Sequence, residues 1–428
     1  MDVVGDALLG AALLALLAYG VGFACTAIHL HRALVAPRDR LPPMLGARST
    51  TRTTPTRLDV HNPSGAPPDE PLPPISLLKP LKGLEEELET NLRSYYEQDY
   101  PVPFEIVFAT TEPRDPGLVV AQKVAADYPR IQTRFVRSNP NFGLNPKVAN
   151  LSGALSAAQH DLVFQSDANV RISSGYLRKL VNEMRAAEAS LVTSLITGVG
   201  ERSVGAAMEN LQLSAHITPD RCAALHIGGV PCVVGKSMLL HAGELHELGG
   251  LACVRNVLCE DFILGARYRN AGKRVLLSAT MAQNVNRDIS IRQFLSRHSR
   301  WLKMRAVIHR GSFVAELLSN PVALATIALP FSGGNAAAGG FWAAVVLAKM
   351  VGDASLLRLT RGNGMHPSYL VVVPFKDLLM AFVWVHSLFS RSVRWRGRKL
   401  RFGAGSRLRE DDGTLPLRVL RRLFGFRK

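Results

Sequence analysis

The chain has 428 residues, a length sufficient for about three domains, and 47% of its residues are hydrophobic. Basic residues exceed acidic residues by 17, and thirteen basic against three acidic residues lie from Arg391 onward. This local excess favours an anionic membrane surface over nucleic acid, because nucleic-acid-binding domains spread basic and aromatic residues over a reading face. The five cysteines form no CxxC pair and are odd in number, which argues against a disulfide scaffold or zinc ribbon and fits a reducing compartment.

The first predicted element is a membrane helix. Residues 7–28 contain no charged residue and are about as long as a helix that crosses a bilayer core. Acidic residues precede this run, and Arg32 and Arg38 follow it, so the positive-inside bias predicts an external amino terminus and a cytoplasmic remainder. A cleaved signal peptide is the alternative, but the run is too long and no basic segment precedes it. We therefore expect an uncleaved anchor over residues 1–32.

Residues 33–74 are predicted to be a linker, because ten prolines lie between Pro37 and Pro74 without apolar periodicity. A folded domain is expected over residues 75–312, where short apolar runs alternate with segments of helical spacing. This pattern is typical of an α/β domain with a largely parallel sheet. The predicted strands are 75–78, 104–109, 133–136, 162–164 and 191–195, and the predicted helices include 84–96, 118–128 and 176–187.

Apolar composition returns in residues 313–390. The stretch 321–350 is too long for one straight crossing, so we expect two helices joined near residues 332–335 and a last helix interrupted by Lys376 and Asp377. Those charges leave a re-entrant or interfacial helix as an alternative, and two or three spans are possible. The chain is therefore predicted to be an integral, multi-pass membrane protein, with the folded domain and a basic tail (391–428) in the cytoplasm.

Three acidic residues are candidates for chemistry, because ligands of open α/β sheets bind beyond the carboxyl ends of strands. Asp115 follows the second predicted strand, Asp167 follows the fourth, and Asp261 opens the helical stretch 262–270. Each alone is also typical of a turn or a helix N-cap.

A fourth candidate feature is basic and aromatic. Helical spacing over residues 291–305 places Arg297, Arg300 and Trp301 on one face. The same pattern is typical of an amphipathic helix on a membrane surface, so both interpretations stay open.

The order of these motifs resembles glycosyltransferase family 21, whose type member is ceramide glucosyltransferase. Four further segments carry the resemblance: Leu-Lys-Pro-Leu-Lys-Gly at 78–83, Asp-Tyr-Pro at 99–101, Gly-Leu-Asn-Pro-Lys at 143–147 and Cys-Val-Val-Gly-Lys-Ser at 232–237. It covers about residues 75–310 and, more loosely, Arg-Trp-Arg-Gly at 394–397.

The resemblance implies a nucleotide-sugar-binding domain of the GT-A type, with a Rossmann-like mixed sheet, and inversion at the anomeric carbon. It implies that Asp115 helps hold the uridine nucleotide, that Asp167 holds Mg²⁺ or Mn²⁺ on the diphosphate, and that Asp261 is the general base. It also implies further donor-binding residues, which are Asn145, Lys147, His216, Arg297, Arg300 and Trp301. The last three of these would also line the acceptor entrance.

The residue types fit this chemistry independently. A carboxylate-held divalent cation and arginines offset the charge that develops on a leaving diphosphate. An attacking hydroxyl loses its proton, which suits one carboxylate within hydrogen-bond reach. The segment Ser166-Asp167-Ala168-Asn169 lacks the second aspartate of an Asp-x-Asp motif, so metal binding rests on one carboxylate and phosphate oxygens.

The leading hypothesis is a membrane-bound inverting transferase that moves glucose from UDP-glucose to ceramide. A hopanoid-lipid N-acetylglucosaminyl transferase is the closest alternative. A processive polysaccharide synthase is disfavoured, because such enzymes usually carry Gln where this chain has Arg297. A catalytically inactive membrane scaffold is the alternative from another class, and the presence of all four motif elements in order argues against it. The expected partners are a UDP-sugar, a membrane lipid and the bilayer.

Overall fold

The structure is a computed structural model that describes residues 3–35, 71–333, 335–390, 392–395 and 398–410. Most of the predicted linker and the end of the predicted basic tail lie outside the described residues.

Eight strands form one mixed sheet: β1 (Ile75–Pro80), β2 (Phe104–Thr110), β3 (Gln132–Arg137), β4 (Leu162–Gln165), β5 (Val170–Arg171), β6 (Leu191–Val199), β7 (Met238–His241) and β8 (Val275–Val285). Their order is β3-β2-β1-β4-β7-β6-β8-β5. Strands β1 to β4 pair in parallel, as do β6 and β8, whereas β7 runs antiparallel to both of its neighbours and β5 to β8. All five predicted strands are present. The prediction missed β5, β7 and β8, so the sheet is less parallel than expected.

Among the described residues, ten helices precede the carboxyl-terminal apolar region: α1 (Val3–Val35), α2 (Leu88–Tyr96), α3 (Pro116–Ala126), α4 (Pro146–Ala157), α5 (Tyr176–Ala186), α6 (Val204–Gln212), α7 (Thr218–His226), α8 (Ala242–Glu247), α9 (Glu260–Asn270) and α10 (Ile291–Ile308). A π-helical turn, Leu213–Ile217, joins α6 to α7 without a break. Helices α2, α3 and α5 pack on one face of the sheet, and α4, α8 and α9 pack on the other. Because both faces are covered, β1 is buried along its whole length, which explains why its sequence does not alternate.

Five helices follow: α11 (Arg310–Leu318), α12 (Pro321–Phe331), α13 (Ala336–Arg361), α14 (Pro367–Leu370) and α15 (Val373–Phe389). In the described part of the chain, three helical segments are long and apolar enough to cross a membrane: Val4–Arg32, Ala336–Arg361 and Pro367–Phe389. Helices α11 and α12 are bent by 60° at a short break and would add a fourth span if they count as one. The predicted break near residues 332–335 is confirmed, and Lys376 and Asp377 lie within α15 without interrupting it.

Helix α1 is longer than a membrane crossing requires. Its 33 residues extend for about 50 Å, whereas a bilayer core is about 30 Å thick. The amino-terminal half packs through Ala12 and Ala15 against α12 and α13, and the other half packs through Cys25 against Cys222 and Leu195 of the folded domain. The anchor is thus also part of the domain's packing.

The described part of the predicted basic tail forms a small antiparallel sheet of β9 (Ser392–Trp395), β10 (Arg398–Phe402) and β11 (Leu408–Glu410). This sheet folds back on the domain. The Leu258 N–H donates to the Ser406 carbonyl at 3.0 Å, and the Leu408 N–H donates to the Asn256 carbonyl at 2.7 Å. The loop before α9 is therefore held by residues almost 150 positions later, a pairing that the run of basic residues did not predict.

Candidate active site

The centre of the candidate site is Asp167, just beyond the carboxyl end of β4. Its Oδ1 atom lies 2.8 Å from Lys147 Nζ, and its Oδ2 atom lies 3.2 Å from Lys236 Nζ. Lys236 also donates to Asn169 Oδ1 at 3.0 Å. Two oxygen atoms of the Asp-Ala-Asn segment therefore converge on one ammonium group.

Opposite charges in this group keep Asp167 and Lys147 ionised. Burial alone would raise the pKa of Asp167, but the ammonium groups of Lys147 and Lys236 reverse that effect and hold the pKa well below its usual range. Burial alone would lower the pKa of Lys147, but Asp167, Glu260 and Asp261 raise it above its ordinary value. At neutral pH the site therefore carries fixed charges of both signs.

The Asn-Pro-Lys motif shapes the start of α4. Asn145 is the N-cap, and its Oδ1 atom accepts from the N–H groups of Lys147 and Val148 at 2.9 and 3.2 Å. Its Nδ2 group donates to the Val257 carbonyl at 2.7 Å and to Glu260 at 3.3 Å. Asn145 thus joins α4 to the loop before α9, and Lys147 then extends to Asp167 and Glu260.

Asp261, the predicted base, lies beside this charged group. Its Oδ2 atom accepts from the Gly235 N–H at 2.7 Å, and Lys147 Nζ donates to the Gly235 carbonyl at 3.3 Å. A Cβ atom on Gly235 would lie 2.8 Å from Lys147 Nζ and 3.1 Å from Asp261 Oδ2. A larger residue at this position would therefore displace the Lys147 ammonium group, because the backbone passes between the two side chains. The adjacent Glu260 is buried, and this burial, together with the nearby Asp261, raises its pKa despite its contact with Lys147.

Asp115 lies at the same edge of the sheet, since β2, β1 and β4 are parallel neighbours. It is the N-cap of α3 and accepts from the Gly117 N–H at 2.8 Å. Both carboxylate oxygens also accept from the Gly83 N–H, at 2.9 Å, in the loop after β1. The cap interpretation is therefore correct, and the same carboxylate also fixes the Lys-Gly loop after the first strand.

The basic motif on α10 is tied to α6 through a buried glutamate. Glu209 accepts from Arg297 at 2.9 Å and lies 3.0 Å from His298 Nε2. Burial would raise the pKa of Glu209, but His298 and Arg297 lower it to about 2. Arg297 also donates to Asn286 at 3.2 Å. Arg297 is thus held in position by both Glu209 and Asn286.

The other motif residues lie on the same helix. The Trp301 ring meets the His298 ring edge to face at 5.2 Å, and both Trp301 and Arg300 are partly exposed. Both side chains lie on the same helix as Arg297, within one turn of it.

His216 lies elsewhere. It is on the π-helical turn, with its Nε2 atom 3.2 Å from Glu316 and 3.5 Å from Asp220, near the membrane helices. Within the described residues, no hydrogen bond or ion pair joins it to Asp167 or Asp261. Its role in donor binding stays a prediction.

Sequence reasoning did not assign Lys79, Lys236 or Glu209 to the site. Lys79 is completely buried in β1, donates to the Asp167 carbonyl at 2.7 Å and lies 3.5 Å above the Tyr95 ring. Burial lowers its pKa well below the ordinary value. A lysine within an otherwise apolar strand was a usable signal, because buried lysines are rare unless paired. Glu209 lies in an unremarkable helical sequence that gave no signal.

The side-chain oxygens of Asp167 and Asn169 are suitable ligands for a divalent cation. Carboxylate and amide oxygens are the ligands that Mg²⁺ and Mn²⁺ prefer, and Asp167 and Asn169 direct one oxygen each at the same cationic group, Lys236. A bound ion would compete with that ammonium group for both oxygens.

The chain matches Glycosyl transferase family 21 over residues 46–408. The chain belongs to glycosyltransferase family 21. Among its relatives are ceramide glucosyltransferase 1 of Caenorhabditis elegans, 24% identical over 81% of this chain and 75% of that protein, and the ceramide glucosyltransferase of Komagataella phaffii, 27% identical over 55% of this chain and 58% of that protein. A solved structure, the mannosyltransferase PcManGT of Pyrobaculum calidifontis in complex with GDP-Man and Mn²⁺, is 17% identical over 89% of this chain and 99% of that chain, with a TM-score of 0.45.

Family membership confirms the resemblance seen in the motifs. It confirms the predicted enzyme class, a UDP-sugar-dependent hexosyltransferase similar to ceramide glucosyltransferases. The GT-A type fold, with apolar helices before and after the mixed sheet, is also as predicted.

Proposed function

We propose that this family 21 enzyme is an inverting transferase that moves glucose from UDP-glucose to the primary hydroxyl of ceramide. The proposal rests on the proximity of Asp261 to the Lys147–Asp167 ion pair, with Gly235 between them. Asp261 and Lys147 bind the N–H and the carbonyl of the same residue, Gly235, and Lys147 pairs with Asp167. A carboxylate suited to accept a proton therefore lies next to a cationic group suited to a diphosphate.

Donor binding would use the cations at the edge of the sheet. Lys147 and Lys236 would exchange part of their contact with Asp167 for phosphate oxygens, and Arg297 and Arg300 would approach from α10. Asp115 would contribute by holding the loop after β1 against the nucleotide. Asn145 acts indirectly, because it fixes the start of α4 and thus the position of Lys147.

The cation proposed for the site would be held by Asp167 together with Asn169. When bound, it supplies positive charge to the leaving diphosphate. The two lysines nearest the proposed diphosphate, Lys147 and Lys236, are already paired with Asp167, and Lys147 also with Glu260. This pairing supports a requirement for Mg²⁺ or Mn²⁺.

Asp261 would take the proton from the attacking hydroxyl. Its two oxygens accept backbone N–H groups from Gly235 and Phe262, which fix the carboxylate plane and leave further lone pairs for a hydroxyl donor. A single displacement requires one base and no nucleophilic carboxylate, and it inverts the anomeric configuration.

The acceptor is proposed to be a membrane lipid, because the domain is joined to apolar helices at both ends and because relatives of the chain are ceramide glucosyltransferases. A lipid leaves the bilayer at a cost of about 0.8 kcal/mol for each CH₂ exposed to water, so the site must approach the membrane. Asp6 in the first turn of α1 and Arg32 in its last turn support a cytoplasmic domain, and the further apolar helices support a multi-pass topology.

The decisive experiment incubates the purified protein in nanodiscs with radiolabelled UDP-glucose or UDP-N-acetylglucosamine and either ceramide or a hopanoid. We expect glucose transfer to ceramide and a β-linked product. Transfer of N-acetylglucosamine to the hopanoid would replace the proposed substrates, and an α-linked product would contradict inversion. Protease protection in sealed vesicles tests the cytoplasmic location of residues 75–312.

A further inference from the structure

The tail sheet, formed by β9, β10 and β11, has two faces of opposite character. Leu400 and Leu408 pack toward the domain and are only 3% and 4% exposed. Arg401 and Arg409 lie directly opposite each other in the ladder between β10 and β11, and both are exposed. Because neighbouring residues of a strand face opposite sides of a sheet, the tail sheet is apolar toward the domain and cationic on its other face.

The charge along the tail sheet is almost entirely positive. Residues 391–410 contain eight basic residues and one acidic residue, Glu410. The ladder between β9 and β10 pairs the position of Lys399 with that of Arg394, and Arg407, just before β11, is exposed. Like charges directly opposite each other destabilise a sheet. An anionic surface against the outer face would offset this repulsion.

The tail sheet begins close to the end of a candidate membrane span. Strand β9 starts three residues after the end of α15, which an extended chain covers in about 10 Å. Helix α15 belongs to the segment Pro367–Phe389, which is long and apolar enough to cross a membrane. Its large apolar side chains are exposed up to its last residue, among them Phe382, Leu388 and Phe389. The chain therefore holds the tail sheet near the level of the phospholipid headgroups.

The inner face of the tail sheet packs against the elements that position the candidate site. Leu400 and Leu408 form one apolar cluster with Leu258 in the loop before α9, Met304 of α10 and Leu144, which precedes α4. These are the elements that carry the proposed base, the basic motif and the Asn-Pro-Lys motif. A force that holds the tail sheet in place therefore also acts on the site.

Ser406 connects the tail sheet to the loop before α9. It is completely buried, its carbonyl accepts the Leu258 N–H at 3.0 Å, and its hydroxyl accepts the Cys259 N–H at 3.3 Å. Its φ of 52° is in the left-handed region, which is costly for a residue other than glycine and persists only where the surrounding structure holds it. Cys259 is the N-cap of α9, and Asp261 is the second residue of that helix. Undocking of the tail sheet would thus release the backbone two residues before the proposed base.

We infer that the cationic face of the tail sheet docks on the anionic phospholipid surface of the membrane and thereby holds the loop before α9 in place. Basic residues near an anionic leaflet add their attractions, and salt screens these attractions. The partner is a bilayer surface because the tail sheet follows a candidate span within three residues. That anionic lipid raises the transfer rate rests on the proposed function, whereas the docking itself does not.

Hydrogen exchange of the full-length protein in nanodiscs tests docking without any transfer reaction. The N–H groups of Leu258, Cys259 and Leu408 report it, because each donates a hydrogen bond between the loop and the tail sheet. We expect them to exchange about tenfold more slowly in nanodiscs that contain phosphatidylglycerol than in nanodiscs of phosphatidylcholine alone. High salt should remove this difference. Equal exchange in both lipids at low salt would overturn the inference.

Paired substitutions test whether the exposed arginines cause the lipid response. Arg401→Gln with Arg409→Gln should abolish the difference between the lipids, whereas Arg401→Lys with Arg409→Lys should keep it. The matched control is Arg130→Gln with Lys179→Gln, which removes two exposed cations outside the tail sheet and should leave the difference unchanged. A response that survives in the tail glutamine variant, or is lost equally in the control, would contradict the inference. So would slower exchange caused by a short RNA in phosphatidylcholine nanodiscs but not by phosphatidylglycerol, since the face would then bind nucleic acid.

Transfer assays in the same nanodiscs separate this inference from the proposed function. Phosphatidylglycerol should raise glucose transfer to ceramide about threefold, and the tail glutamine variant should lose this increase. If phosphatidylglycerol slows exchange but no sugar reaches ceramide, the proposed function fails and the docking surface stands. If sugar is transferred but exchange does not respond to phosphatidylglycerol, the inference fails and the proposed function stands.

Discussion

Two charged groups differ in exposure: the open group at the edge of the sheet, formed by Asp167, Lys147, Lys236 and Asp261, and the closed group among the carboxyl-terminal apolar helices, formed by Lys349, Asp353, Lys376 and Asp377. Side chains of the first group remain partly open to solvent, with 24% of Asp167, 14% of Lys147 and 16% of Lys236 exposed. In the second group, 2% of Lys349 and none of Asp353 are exposed. Ion pairs that face solvent exchange partners readily, so the first group suits a ligand that arrives and leaves. The second group fixes helices in place.

Because the two groups differ in solvent exposure, we expect substitutions in them to have different consequences. A change in the open group alters ligand binding or chemistry, because water replaces the missing partner at little cost. A change in the closed group leaves an unpaired buried charge, which typically costs several kcal/mol of stability.

The largest effect is expected for Asp261→Asn in the open group. Losing a general base lowers the rate about 10² to 10⁴-fold, whereas UDP binding should persist because the variant keeps the shape of the side chain. Single-turnover transfer and UDP titration measure the two quantities. Glu260→Gln is the neighbouring control, and we expect a smaller loss, since Glu260 contacts Lys147 and is not the proposed base. Unchanged turnover in Asp261→Asn would contradict the assignment.

Asp353→Asn should produce the largest loss of stability. The substitution leaves Lys349 with only the more distant Asp377, which should lower the free energy of unfolding by about 3 kcal/mol. The free energy of unfolding can be measured by unfolding the protein in mixed micelles that contain an increasing fraction of denaturing detergent. Ser355→Ala, an exposed position on the same helix, serves as the control and should have little effect. Equal stability of both variants would show that the closed group does not hold the helices.

Lys236→Met tests the open group without removing a metal ligand. The substitution frees Asn169 and the Oδ2 atom of Asp167 from their shared ammonium partner, while Lys147 still pairs with Oδ1. We therefore expect the apparent affinity for Mn²⁺ to increase about tenfold, measured as Mn²⁺ binding in the presence of UDP. Chelation by EDTA should abolish UDP-sugar binding in the unaltered protein. Asp167→Ala should remove the response to Mn²⁺. Full donor binding in EDTA would contradict the cation proposal.

The smallest expected effect is that of Tyr19→Phe. It removes one hydrogen bond to Asp353 but keeps the ring beside Lys349, so the loss of stability should be about 1 kcal/mol. Transfer activity at saturating substrate should not change. A larger loss than in Asp353→Asn would reverse the ranking of contacts within the closed group.

The sequence predicted those parts of the fold that depend on local pattern. Buried strands such as β1 and β4 were recognisable as apolar runs, and Asp167 was recognisable because it directly follows one of them. Strand β7 was missed because it has four residues and follows the long α6 to α7 segment. The carboxyl-terminal sheet was missed because frequent arginines concealed its alternation.

Parts of the site that depend on tertiary contacts could not be predicted. The partners of Lys236 and Glu209 come from segments 60 to 90 residues away, and no spacing rule connects such positions. His216 is a further example. Its position in the motif order implies a role near the nucleotide, which stays a prediction, but no spacing rule indicated its contact with Glu316.

The pairing of the loop before α9 with residues 406–408 has a consequence for biosynthesis. Two of the hydrogen bonds of this loop, at Asn256 and Leu258, form only after all the described apolar helices have been translated, since Ser406 and Leu408 follow those helices in the chain. The ribosome therefore delivers the segment that completes the neighbourhood of Asp261 last. A nascent chain whose last helices are still entering the bilayer therefore lacks these two hydrogen bonds beside Asp261.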